Sequence, residues 1–104
     1  MNKYLLITTT FNNEQEAKKL IDLLLSKRLV SCCQLSTINS TYHWQGKILT
    51  ETEYLLQMKS KKALFKEIEQ IIKANHSYET PQIVAYDIAA GSQEYLAWID
   101  QETI

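Results

Sequence analysis

Ser40-Thr41-Tyr42-His43-Trp44-Gln45-Gly46-Lys47-Ile48-Leu49 decides how this chain folds. Gln45-Gly46 sits between two alternating apolar and polar runs, the pattern of a hairpin closed by a two-residue turn. Upstream, alternation dominates from Leu29 to Trp44. Leu29, Ser31, Cys33 and Leu35 share one side, and Ile38, Ser40, Tyr42 and Trp44 share one side after a change of phase near Ser36-Thr37. One added residue would account for that change, so a bend or bulge is expected there. Downstream, Ile48 to Lys59 returns, with Tyr54, Leu56 and Met58 alternating against Glu53, Gln57 and Lys59. Strands near a dozen residues exceed the usual five or six and must project past a body of 104 residues. Such an arm carries bare backbone edges and exposes Tyr42, Trp44, Ile48 and Leu49, so pairing with further copies of the chain is expected.

Working outward, Tyr4 to Thr10 is apolar and β-branched and reads as a first strand. Asn13 with Glu16 has capping-box spacing, and Glu14 and Glu16 place acids in a first helical turn. Ala17, Leu20, Ile21 and Leu24 then fall on one face, with Lys27 and Arg28 favourably at the carboxyl end. Beyond the hairpin, Leu64, Phe65, Ile68, Ile71 and Ile72 predict a second helix from about Lys61 to Asn75. Pro81 in His76-Ser77-Tyr78-Glu79-Thr80-Pro81-Gln82-Ile83 forbids its continuation, and Ile83, Val84, Ala85, Tyr86 and Ile88 read as a buried strand. Gly91-Ser92 breaks and caps a short final helix holding Tyr95, Leu96 and Ile99 together. The order β-α-β-β-α-β plus a terminal helix predicts an α+β fold of the ferredoxin-like kind. It has a four-stranded antiparallel sheet, two helices on one face and a long second hairpin, in one domain spanning residues 1–104.

Composition narrows the function classes. With a net charge of −1 and no basic run beyond Lys59-Ser60-Lys61-Lys62, the chain offers no electrostatic footprint for nucleic acid. No run approaches membrane-spanning length, and the start, Met1-Asn2-Lys3, lacks the form of a signal peptide, so no membrane partner and a cytoplasmic location are expected. Cys32 and Cys33 are neighbours, about 3.8 Å apart at Cα and below the roughly 4.4 Å that a disulfide requires, which suits a reducing compartment.

Four blocks carry a family resemblance. Leu29-Val30-Ser31-Cys32 is similar to a Leu-Ala-Ala-Cys strand start, and Tyr42-His43-Trp44-Gln45-Gly46-Lys47 to an aromatic-Trp-x-Gly-Lys hairpin tip. His76-x-Tyr78-Glu79-x-Pro81-x-Ile83 is similar to His-Pro-Tyr-Glu-x-Pro-Glu-Ile, and Tyr95-Leu96-x-Trp98-Ile99 to Tyr-Leu-x-Trp-Ile. In this order and spacing they resemble the CutA family of divalent-cation tolerance proteins over nearly the whole chain. The resemblance implies a stable homotrimer similar in architecture to PII signalling proteins, and copper binding through a cysteine and two adjacent histidines. Cys32 and His76 match that ligand set. The chain departs from the pattern where Asn75 stands at the second histidine, Ser77 at the proline after it, Gln82 at a glutamate, and Ser36-Thr37-Ile38-Asn39 at a Pro-Gly bend.

The expected metal ligands are therefore Cys32, His76 and Glu79, for copper or another divalent cation, because sulfur with imidazole suits soft or borderline ions. Trp44, Lys47, Tyr78 and Glu79 are expected to line a cleft between subunits that could take a small metabolite. Each residue has a plainer alternative: core packing for Cys32 and Cys33, a helix-end cap for His76, backbone capping for Tyr78 and Glu79, anchoring for Trp44 and Trp98, and solvation for His43 and Lys47. Three functions compete. A non-enzymatic homotrimeric cation-tolerance protein comes first, a PII-like sensor second, and a cysteine hydrolase last, since no glycine-rich oxyanion loop or histidine-orienting carboxylate accompanies the thiols.

Overall fold

The computed structural model describes residues 3–104; Met1 and Asn2, the start of the segment weighed above as a leader, lie outside them. Along the chain run β1 (Tyr4–Phe11), α1 (Glu14–Ser26), β2 (Cys32–Trp44), β3 (Lys47–Lys61), a single 3₁₀ turn (Lys62–Leu64), α2 (Phe65–Ala74), β4 (Val84–Asp87) and α3 (Gln93–Glu102). The strands form one antiparallel sheet in the order β2-β3-β1-β4, as the ferredoxin-like topology requires. No helix among the described residues is long and apolar enough to cross a membrane.

One sheet face is covered by α1 and α2. Ala17, Leu20 and Leu24 from α1 and Ile68 and Ile72 from α2 bury against Leu5, Ile7, Phe11, Leu56 and Met58. Asn13 starts α1 as expected, its side chain accepting the Glu16 N–H at 3.0 Å. The reciprocal half of the capping box is absent, because the Glu16 carboxylate instead accepts the Ser77 N–H at 2.7 Å. At the other end Arg28 adopts φ 56°, and the Arg28 and Leu29 N–H groups reach back to Leu25 and Leu24 in a Schellman motif. Its guanidinium does not stay on the α1 terminus, but donates to the Gln101 carbonyl at 2.9 Å and anchors α3.

The hairpin corrects the sequence reading in one respect. β2 and β3 pair without interruption from Cys32 opposite Lys59 to Trp44 opposite Lys47, so Ser36-Thr37 contains no bulge. In a regular strand Ile38, Ser40, Tyr42 and Trp44 lie on the face opposite Cys33 and Leu35. The apolar phase changes because the helix layer ends: β1 accompanies β3 only from Tyr54 to Lys61, leaving Lys47 to Glu53 paired with β2 alone. Beyond that boundary Ile38, Tyr42, Trp44 and Leu49 lie on the other face, while Ile48 keeps the phase of Leu56 and Met58. Thirteen residues of β2 at about 3.4 Å each account for the molecule's 45 Å long axis. The turn itself is as expected, with Gln45 at φ 50° and Gly46 at φ 78°, the two positive values of a type I′ turn.

Two further expectations change. The segment beginning at Lys61 is not one helix, since β3 runs through Lys61 and a 3₁₀ turn precedes α2. β4 is not buried: it is an edge strand of four exposed residues, with Tyr86 55% exposed, because no layer of the chain covers it. β2, at the opposite edge, leaves its outer backbone unpaired over its full length.

Candidate cation cleft

The α2–β4 connection folds back against the end of β1, and His76 fastens it. Its imidazole stacks on Phe11 with centroids 4.2 Å apart and planes 10° from parallel. Nε2 donates to the Thr10 carbonyl at 2.8 Å and Nδ1 accepts the Tyr78 N–H at 3.1 Å, which requires the neutral Nε2–H tautomer. Burial lowers the His76 pKa, and this outweighs the Thr10 hydrogen bond and the Glu16 and Glu53 carboxylates, which favour the charged ring. Both nitrogens are committed and the side chain is fully covered.

Tyr78 turns the other way and donates its hydroxyl to Glu53 Oε2 at 2.6 Å. Burial and that carboxylate both raise its pKa, so the phenol stays protonated as a donor. Gln82 follows, its amide donating to Thr8 Oγ1 at 3.1 Å. Between this loop and the uncovered face of the hairpin opens a cavity of about 800 Å³, walled in part by Tyr42, Trp44, Glu51, Glu53, Tyr78 and Glu79. The hydroxyl of Tyr42 bonds the Glu51 carboxylate across the hairpin. Among the described residues no lysine or arginine lines the space.

Of the expected cleft residues, Trp44, Tyr78 and Glu79 are thus brought together, whereas Lys47 is exposed at the hairpin tip and does not line the cavity. The expected metal ligands are not assembled in one chain. Cys32 pairs with Lys59 and Thr10, which holds His76, pairs with Leu55, a separation of about 13 Å along β3 with a further two strand spacings across. Among the described residues no group of three His, Cys, Asp or Glu side chains converges on a metal position. With both His76 nitrogens taken and Cys32 remote, the chain's own residues do not fit a copper ion at Cys32, His76 and Glu79.

Cys33 faces the core beside Met58, and burial, with Cys32 adjacent, pushes its thiol up to about 12. Glu51 and Glu53 were missed as site residues because strand alternation places them on the side opposite Leu56 and Met58, which reads as solvent. The available signal was the pair itself, two acids at i and i+2 opposite Ser40 and Ile38 across a hairpin.

Comparison with known proteins agrees with this fold. A family model described as CutA1 divalent ion tolerance protein matches residues 5–102. The divalent-cation tolerance protein CutA of Archaeoglobus fulgidus is 37% identical over 101 residues, covering 97% of each chain, and that of Thermus thermophilus is 35% identical over 104 residues, covering 99% of each. The chloroplastic CutA of Arabidopsis thaliana is 31% identical over 95% of this chain, which spans only 55% of that longer protein. Among solved structures, CutA1 from Oryza sativa superposes with a TM-score of 0.94 at 31% identity over 99% of this chain and 95% of its own. A structure described as the periplasmic CutA of Archaeoglobus fulgidus gives 0.92 at 36% identity over 95% and 97%.

Proposed function

This chain belongs to the CutA1 family of divalent ion tolerance proteins, and from that premise we propose that it acts in divalent-cation tolerance as a non-enzymatic homotrimer. The observation that carries the assembly is the open arm: β2 leaves its whole outer edge unpaired, and Trp44 and Ile48 are 54% and 69% exposed. An edge this long, beside exposed aromatic and aliphatic side chains, is stable in solution when sister chains cover it. Contact with copper or another divalent cation is weak in this reading. It falls to Glu79 and Glu51, exposed carboxylates on the cleft, because His76 has no free lone pair.

A catalytic role is disfavoured by the same geometry. The Cys33 thiol is protonated at neutral pH, and His76 cannot act as a base without giving up the Tyr78 N–H. No observation favours the PII-like sensor over this reading. The unpaired thiols suit the reducing cytoplasm, where we place the protein. Calorimetric titration with copper(II) and magnesium tests the metal role: weak heats unchanged in His76→Ala support it, whereas tight binding abolished by that substitution would restore His76 as a ligand.

A further inference from the structure

Residues 77–82 run between α2 and β4 without a backbone–backbone hydrogen bond among the described residues. Four side-chain bonds hold them instead. The Ser77 N–H donates to Glu16 Oε1 at 2.7 Å, the Tyr78 N–H to His76 Nδ1 at 3.1 Å, the Tyr78 hydroxyl to Glu53 Oε2 at 2.6 Å and the Gln82 amide to Thr8 Oγ1 at 3.1 Å. A segment without a backbone ladder opens more easily than the sheet beneath it, and three of its four anchors end on a group that can take a proton. Of those three, His76 is the one whose ordinary titration lies nearest neutral pH.

We propose that residues 77–82 form a pH-sensitive strap over the cleft, closed while His76 is neutral and released when its Nδ1 takes a proton from solvent. This goes beyond the tolerance reading and does not depend on it. The ring has one arrangement in the closed state: Nε2–H donates to the Thr10 carbonyl at 2.8 Å, so Nδ1 must carry the lone pair that the Tyr78 N–H meets. A proton on Nδ1 turns that acceptor into a donor and sets two hydrogens against each other. The group that can accept it is already in place, Glu16 Oε1 from α1 at 3.8 Å. Glu53 from β3 is the other charged group acting on the ring among the described residues; β1 presents the Thr10 carbonyl and the face of Phe11, and Lys73 in the last turn of α2 is paired with Glu69. The imidazolium therefore keeps Thr10 and Phe11 and turns to Glu16, while the Tyr78 N–H swings out to water. With that bond gone the Tyr78 hydroxyl loses its place on Glu53, and the wall of the cleft formed by Tyr78, Glu79 and Thr80 opens. Because the closed strap covers the His76 side chain completely, protonation and opening are a single event.

NMR spectra of the isotope-labelled protein, in whatever oligomer it forms, recorded between about pH 7.5 and 4.5 test the strap. The amide and ring resonances of Tyr78 should shift together with the His76 ring, at one midpoint below the ordinary value near 6.5, while the α3 amides stay in place. In His76→Gln the side-chain amide can donate to Thr10 and accept from Tyr78 without titrating, so the Tyr78 resonances should hold still over the same range. The other anchors should move the midpoint in opposite directions. Glu16→Gln still accepts the Ser77 N–H but cannot pair with an imidazolium, and lowers it; Tyr78→Phe unfastens the strap from Glu53, and raises it toward the ordinary value. These two variants keep the test decisive if His76→Gln fails to fold. A His76 ring that titrates while Tyr78 stays fixed, a ring still neutral at the acid end of the range, Tyr78 shifts that persist in His76→Gln, or collapse of the whole spectrum at the ring's midpoint would overturn the proposal.

Discussion

The Tyr78 hydroxyl donates to Glu53 Oε2 at 2.6 Å, joining the loop after α2 to the strand that leaves the sheet for the hairpin arm. The bond does two things: it holds the loop over the cavity and gives the buried carboxylate its one donor among the described residues. Tyr78→Phe should therefore cost about 1.5–3 kcal/mol, as for a hydrogen bond to a charged group, read as a lowered urea midpoint at fixed protein concentration. Glu53→Gln in the Tyr78→Phe background should recover part of that loss, since an amide is cheaper to bury unpaired than a carboxylate.

His76 makes stability fall on acidification. Its folded-state pKa lies below the ordinary value near 6.5, so the unfolded chain takes up the proton first. Its contribution is complete above about pH 6.5 and is lost as the pH falls toward the lower folded-state value. Protonation at Nδ1 also removes the acceptor for the Tyr78 N–H. Denaturation midpoints measured between pH 7.5 and 5 should decline in the wild type and decline less in His76→Gln; equal slopes would contradict this placement of the ring.

Cys33 should be chemically silent. Burial holds its thiol near 12, so the thiolate is scarce at neutral pH. A Cys32→Ser chain, with Cys33 as its one thiol, should not react with a disulfide reagent at pH 8 in the native state and should react fully in guanidinium. Native reactivity would show that the base of β2 is open.

The hairpin tip offers a test of backbone conformation free of packing. A methyl group added at Gly46 would meet no atom within 4 Å, so Gly46→Ala probes only its φ of 78°. It should cost roughly 1 kcal/mol, while Gln45→Asn, which puts the favoured type I′ pair into the turn, should stabilise by a few tenths of a kcal/mol.

Much of the fold was legible because local chemistry and topology agree. Asn13 and Ser92 cap the helices they precede, Gln45-Gly46 makes its turn, and the alternating strands and amphipathic helices leave few other arrangements. Two misreadings share a cause, since burial in a strand depends on what lies beside it. Ile38 and Tyr42 changed phase with the end of the helix layer rather than with a bulge, and the apolar β4 proved to be an uncovered edge. The cleft was half legible. Trp44, Tyr78 and Glu79 stood out by residue type, but Glu53 is defined by a hydroxyl 25 residues away. His76 looked like a ligand because spacing cannot show that Phe11, Thr10 and Tyr78 already occupy its face and both nitrogens.

The central claim is that the open arm exists to be covered by sister chains. Light scattering coupled to size exclusion at micromolar concentration measures this directly. The account predicts a single species with three times the mass of the 12.1 kDa chain. A monodisperse species at the mass of one chain would contradict it.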